Sequence, residues 1–218
     1  MQEKGFSEEK ILKILQKRLY KDQKYSSGKI LASMCTNPLE ISKKTYSIAL
    51  EKNLGDEFLF PGSSNLEKEV ISMLGVLLSN SHAAGHIVSG GTEANITALW
   101  VAKKQCNNGK NEVILPISAH YSFERAADIL GLKLVEVPLT NEFKIDTSEV
   151  ENEINRQTLA IIGIAGSTLL GTVDDIPKLS DISLENDVFL HVDAAFGGFV
   201  IPFLKDLGLY EGVFDFEA

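Results

Sequence analysis

Thr158-Leu159-Ala160-Ile161-Ile162-Gly163-Ile164-Ala165 is the stretch that decides the fold. It carries no charge and, after the threonine, no polar side chain. Successive side chains of a strand point to opposite faces, so a strand with one wet face alternates apolar and polar residues. A strand apolar on both faces needs cover on both, as inside a parallel sheet packed between helices. Three more short runs share this texture: Glu112-Val113-Ile114-Leu115-Pro116, Lys133-Leu134-Val135-Glu136-Val137 and Val188-Phe189-Leu190-His191-Val192-Asp193. Helical stretches separate them, one through Ala126 to Leu130, one capped by Asp146 or Thr147, and one over residues 176–184. The alternation predicts an α/β fold with a mostly parallel sheet flanked by helices. Ligands of such folds sit at the carboxyl ends of the strands.

The polar residues fall at those ends. Ser118 and His120 follow the first strand, Ser167 and Thr168 follow the third after Gly166, and Asp193 closes the fourth. Upstream, Ser89-Gly90-Gly91-Thr92-Glu93-Ala94-Asn95 follows the apolar pair Ile87-Val88, read as a strand end, and opens into the helical pattern Ala98-Leu99-Trp100-Val101-Ala102. Glycine lets a ligand approach the backbone closely, and the first amides of a helix are unpaired at the positive end of its dipole. The turn therefore reads as a phosphate cup, with the Thr92 hydroxyl beside it. It also reads as a plain glycine turn capped by Thr92 or Glu93. His120 alone is an ordinary loop histidine, Asp193 alone a cap, and His191 a packed, hydrogen-bonded strand residue. Together they come from separate segments that a parallel sheet gathers at one edge.

The rest of the chain sets bounds. Of 218 residues, 44% are hydrophobic and 23% charged, enough for one large globular domain. Twenty-one basic against thirty acidic side chains leave a formal charge of −9, which provides no broad basic field for nucleic acid or an anionic membrane. Cys35 and Cys106 are the only cysteines, too few for a disulfide framework or a multi-cysteine zinc site. No signal-peptide pattern opens the chain and no apolar run is long enough for a membrane span, so a cytoplasmic soluble protein is expected. Ser7 caps a first helix with Ile11, Leu15 and Leu19 at four-residue spacing, a candidate for packing on a partner subunit. An irregular segment from Met34 to Pro38 precedes a second helix over residues 39–52. Phe58-Leu59-Phe60-Pro61-Gly62 reads as an apolar loop ending in a Pro-Gly turn, its aromatics being core plugs or pocket walls. A third helix, capped by Ser63 or Ser64, carries Leu66, Val70, Met73, Leu74, Leu77 and Leu78 on one face. The expected division is 1–55, an N-terminal helical segment, and 56–218, the ligand-binding large domain.

Four ordered motifs, Ser89-Gly90-Gly91-Thr92-Glu93-Ala94-Asn95, Ala119-His120-Tyr121-Ser122-Phe123, Ala165-Gly166-Ser167-Thr168 with Gly171 to Asp175, and His191-Val192-Asp193-Ala194-Ala195-Phe196-Gly197-Gly198, make the chain resemble the pyridoxal-phosphate-dependent group II decarboxylases. Cys35-Thr36-Asn37-Pro38, Asn53-Leu54-Gly55-Asp56 and Leu59-Phe60-Pro61-Gly62 are similar to the archaeal tyrosine/aspartate branch. The resemblance implies an aspartate-aminotransferase-like (fold type I) large domain, pyridoxal 5'-phosphate as cofactor, and a homodimer with its sites at the subunit interface. It implies that Gly91 and Thr92 bind the cofactor phosphate, that His120 stacks on one ring face and Ala195 packs on the other. Asp193 then pairs with the ring nitrogen, Thr168 sits at the ring edge, and Leu59 and Phe60 line the substrate pocket. The activity implied is removal of the α-carboxylate of an L-amino acid, tyrosine or aspartate.

The family's Schiff-base lysine stands downstream of the Val-Asp-Ala-Ala motif, and no such segment is present through Ala218. Lys205, the one lysine after Asp193, lacks the preceding histidine and is not given that role. The chain is therefore expected to be the front part of an enzyme, inactive alone and without the C-terminal small domain. The alternatives are a sphingosine-phosphate-lyase-like enzyme of the same fold and a non-catalytic cofactor-binding or assembly fragment.

Overall fold

The computed structural model describes residues 4–30, 35–105 and 109–209. Cys106, Met34 and the stretch from Phe214 to Ala218 lie outside the described residues. The chain divides into two units, Met1–Leu50 and Glu51–Ala218. In the first, α1 (Glu8–Leu19) starts as its sequence dictates. The Ser7 side chain accepts the Lys10 amide, Glu8 and Glu9 occupy the first turn, and Lys17 and Arg18 the last. Helix α2 spans Glu40–Ala49, shorter than the expected 39–52, and neither helix carries a buried residue.

The second unit opens with α3 (Pro61–Leu77). The expected Pro-Gly turn is not there. Pro61 sits in the first turn of the helix, where its missing N–H costs nothing and its fixed φ suits helical backbone. Only Ser64 and Gly75 of α3 are buried, and Leu66 and Met73 are exposed by 63% and 69%. The apolar face of α3 is thus mostly exposed, with Leu74 and Leu77 half-buried.

Helix α4 (Gly91–Gln105) precedes a regular alternation: β1 (Glu112–Pro116), α5 (Ser122–Leu130), β2 (Lys133–Val137), α6 (Thr147–Glu153), β3 (Thr158–Ile164), α7 (Ile176–Glu185) and β4 (Phe189–Asp193). The four strands form one parallel sheet in the order β2-β1-β3-β4. The expected strand end at Ile87-Val88 is not formed; those residues are irregular.

β3 is buried along its whole length, as its composition requires. Its alternate side chains feed two cores. Ala160, Ile162 and Ile164 join Leu99 and Ala102 of α4 and Phe123 and Ala126 of α5. Ile161 joins Val150 of α6 and Ile176, Leu179 and Ile182 of α7 on the opposite face. At Gly163 a Cβ would fall 2.7 Å from Ile176 Cδ1 and 2.9 Å from Leu179 Cδ1, so the missing side chain lets α7 seat closely. The sheet order turns between β1 and β3: the chain steps from β1 to β2, then crosses back to β3 and on to β4. That reversal opens a crevice at the carboxyl ends of the strands.

Two tethers hold that edge. Asp174, 4% exposed, accepts the amides of Ile145 at 2.8 Å and Ile164 at 2.7 Å. The Gly197 amide donates to the Ala165 carbonyl at 3.1 Å, while Ala165 donates to the Asp193 carbonyl at 2.9 Å. No helix among the described residues is long and apolar enough to cross a membrane.

Candidate active site

The site is assembled around Asn95, in the second turn of α4. Asn95 is 4% exposed and stands four and seven residues before Leu99 and Ala102, both fully buried. It thus occupies a core position of the helix with a polar side chain, which demands partners. Its Nδ2 donates to Asp193 Oδ2 at 3.0 Å and to Ser122 Oγ at 2.9 Å, and its Oδ1 meets His191 Nε2 at 2.8 Å. The carboxylate fixes the amide's orientation: a flipped Asn95 would set carbonyl oxygen against Asp193. Oδ1 therefore faces His191, whose Nε2 must carry the proton.

The second oxygen of Asp193, Oδ1, accepts the Ala195 amide at 3.1 Å. Both oxygens are thus held by neutral donors. His191, two residues earlier on the same strand face, touches the Phe123 ring edge-on at 5.9 Å between centroids. Burial pushes the His191 pKa below the ordinary value, and the Asp193 charge pulls it back only in part.

His120 follows β1 and precedes α5. Its Nδ1 accepts the Ser122 amide at 3.3 Å and lies 2.9 Å from Ser122 Oγ. Ser122 Oγ already accepts from Asn95, so its own proton is free to turn toward His120 Nδ1. The ring then keeps its proton on Nε2. The half-buried His120 is packed against the Tyr121 ring, 4.2 Å between centroids.

The glycine turn lies beside Asp193's neighbour. A Cβ on Gly91 would sit 3.7 Å from Ala195 Cβ, and one on Gly90 would meet open space. The first backbone bond of α4 runs from the Ala94 amide to the Gly90 carbonyl at 3.1 Å, so the amides of Gly91, Thr92 and Glu93 precede the intrahelical ladder. Glu93 does not cap them. Its carboxylate turns back to the Ser89 amide at 2.9 Å and hydroxyl at 2.5 Å, and the hydroxyl holds its pKa below the usual value. The turn is thus capped by Glu93 on its upstream side and open at Gly91 and Thr92.

Half-buried Thr168 lies in the turn after β3. That turn is closed by the Gly166 and Ser167 amides on the Thr172 carbonyl and the Gly171 amide on the Ser167 carbonyl. The sheet therefore gathers Gly91, Ala195, Asp193, Asn95, Ser122 and His120 into one continuous set, with Thr168 at the end of the strand next to Asp193. Leu59, 73% exposed, and Phe60, at the start of α3, are not joined to this set by any ring contact or side-chain hydrogen bond among the described residues. Sequence reasoning gave no role to Asn95 or Ser122; the polar residue at a buried helical spacing is the signal that finds Asn95.

A four-stranded parallel sheet flanked by helices, with the carboxylate that ends β4 beside the start of α4, is the arrangement of the fold-type-I large domain that the motifs imply. Residues 45–214 match the pyridoxal-dependent decarboxylase conserved domain, and the chain belongs to that family. It is 49% identical over 214 residues to a probable L-aspartate decarboxylase of Pyrococcus furiosus, covering 98% of this chain and 58% of that protein. It is also 49% identical over 193 residues to a probable L-tyrosine/L-aspartate decarboxylase of Methanothermobacter thermautotrophicus, covering 88% of this chain and 53% of the relative. Among solved structures, the sphingosine-1-phosphate lyase of Burkholderia pseudomallei superposes with a TM-score of 0.85 at 25% identity, over 99% of this chain and 53% of that one. The chain spans about half the length of the curated relatives it matches.

The residues fit pyridoxal phosphate. A charged carboxylate whose described hydrogen-bond partners are all neutral suits a cationic ring nitrogen, and three leading amides on a helix suit a phosphate.

Proposed function

We propose that the protein carrying this chain removes the α-carboxylate of an L-amino acid with pyridoxal phosphate, and that its substrate is L-aspartate or L-tyrosine. The observation that carries the reading is the Asp193 carboxylate, held by Asn95 and the Ala195 amide in the same cluster as the open glycine turn. When bound, the cofactor supplies a protonated ring that draws in the electron pair left behind as carbon dioxide departs. Asp193 keeps the proton on the ring nitrogen. Gly91 and Thr92 hold the phosphate through their amides and the threonine hydroxyl. His120 and Ala195 would flank the cofactor ring, and Thr168 would contact its edge. Leu59 and Phe60, outside that hydrogen-bonded set, would line the substrate pocket as the family resemblance implies.

The substrate follows the names of the two relatives at about half identity, both of which include L-aspartate. The lyase is only half as similar, which disfavours cleavage of a sphingosine-phosphate-like substrate over loss of an α-carboxylate. The exposed apolar face of α3, with Leu66, Val70 and Met73, supports a homodimer, and the acidic balance supports neither nucleic acid nor an anionic membrane as partner.

The test is a substrate panel. Purified protein is supplied with pyridoxal phosphate and L-aspartate, L-tyrosine or L-glutamate, and carbon dioxide and amine are measured. β-Alanine or tyramine is expected; absence of amine from every amino acid overturns the proposal.

A further inference from the structure

We infer that Asn95 is a positioning residue of this site, one neutral amide that aims the Asp193 carboxylate, seats His191 as its Nε2–H form and, through the Ser122 hydroxyl, sets the proton of His120 on Nε2. The inference deepens the cofactor reading and rests on it for its functional meaning.

Three features carry it. First, Asn95 turns both N–H groups and its oxygen into the site: two N–H bonds, to Asp193 and Ser122, and its oxygen on His191. Second, these partners come from two separate segments, the start of α5 and β4, and Asn95 joins both to α4. Third, the amide solvates the carboxylate without cancelling its charge. A lysine or arginine there would pair with Asp193 and blunt its attraction for a cation; an apolar residue would leave Oδ2 without a buried donor. Asparagine, with donor and acceptor on one rigid plane, also keeps His191 neutral beside the acid. The charged group facing His191 is Asp193; from the elements packed on it come Asn95 of α4 and the Phe123 ring of α5, both uncharged.

His120 is the far end of this string. Its Nδ1 is committed to Ser122, and Ser122 Oγ turns its proton that way because Asn95 donates to its lone pair. An imidazole whose proton stands on Nε2 keeps a donor for whatever lies over its ring edge.

The test uses two arms that fail separately. In the first, cofactor-free protein with 15N-labelled histidine is titrated by NMR. In the parent protein at neutral pH, His191 and His120 should each show a protonated Nε2 and a bare Nδ1. Asn95→Asp keeps the shape but puts a carboxylate against His191, so the His191 midpoint should rise above the parent's. Asn95→Leu should scramble the His191 tautomer, and Ser122→Ala should disturb His120 while leaving His191 as it was. Unchanged His191 midpoints and tautomers in folded Asn95 variants, judged by far-UV circular dichroism, overturn the inference. If both Asn95 variants unfold, the Ser122→Ala spectrum decides: His191 shifting together with His120, or neither moving, overturns it.

In the second arm, pyridoxal phosphate uptake is followed by its absorbance. Asn95→Leu should weaken binding on the order of tenfold or more, the weight of one hydrogen bond to a charged group. Parent protein that takes up no cofactor while the NMR arm succeeds sinks the cofactor reading and leaves the positioning intact. Equal uptake by parent and Asn95→Leu sinks the positioning role.

Discussion

Replacing Asp174 gives the sharpest test of how the site's sheet edge is held. Its side chain accepts two backbone amides, Ile145 at 2.8 Å before α6 and Ile164 at 2.7 Å at the end of β3. Ile145 and Ile164 are 2% and 5% exposed, so water has little access to either amide. Asp174→Ala strands both donors. At about 1–3 kcal/mol for each buried unsatisfied group, the loss comes to roughly 2–6 kcal/mol. Asp174→Asn keeps one acceptor but turns an NH2 toward the other amide, so it should lose about 1–3 kcal/mol. Burial raises the Asp174 pKa, against the pull of the Ile145 and Ile164 amides and Lys144. For a raised pKa, the folded chain binds the proton more readily than the unfolded one. The stability from this group is full below the ordinary 3.8 and is lost as the pH rises through the raised value. Both variants should lack that slope. Urea unfolding followed by circular dichroism, at several pH values, reads midpoint and slope together. An alanine variant within about 0.5 kcal/mol of the parent, in the range of a neutral surface change, would refute the reasoning.

Two further perturbations test the site's frame. His191 has a pKa lowered by burial, so the unfolded chain binds more protons in acid; stability should fall as pH drops below the ordinary 6.5, and His191→Gln, which still donates to Asn95, should flatten that fall in urea titrations. Gly197→Ala would bring a Cβ within 2.3 Å of the Ala165 carbonyl and 2.6 Å of Ile201 Cδ1; about 1–3 kcal/mol of overpacking is expected, seen as a lower urea midpoint, and an unchanged midpoint contradicts the close approach.

Much of the fold was legible because burial on both faces leaves a compositional trace. β3 could be read from its unbroken apolar run, and α6 from Asp146, whose carboxylate accepts the Ser148 and Glu149 amides in the helix's first turn. Pro61-Gly62 misled because the same dipeptide serves a turn or a helix start, and the choice rests on whether the residues after it continue a helical backbone. Ile87-Val88 showed an apolar pair, but a strand needs a neighbour to bond, and none pairs there among the described residues. The α3 stripe had helical spacing but is largely exposed, since periodicity reports an apolar face and not its cover. At the site, His120 and Asp193 stood out as titratable side chains at strand ends. Asn95 was hidden because its importance lies in partners 27, 96 and 98 residues away, which no local pattern contains.

Among the described residues β4 has a strand neighbour on one side only, β3, and all five of its residues are half-buried. A strand at a sheet margin opens by local fluctuation more readily than one locked between two others. Asp193 is its last residue. Each excursion of β4 thus pulls the carboxylate and His191 off Asn95 in one motion, while the cup at Gly91 remains on α4. On the proposed cofactor reading, the phosphate-facing and ring-facing halves of the site would then have separate lifetimes, and slow amide exchange along residues 189–193 would measure how long they stay joined.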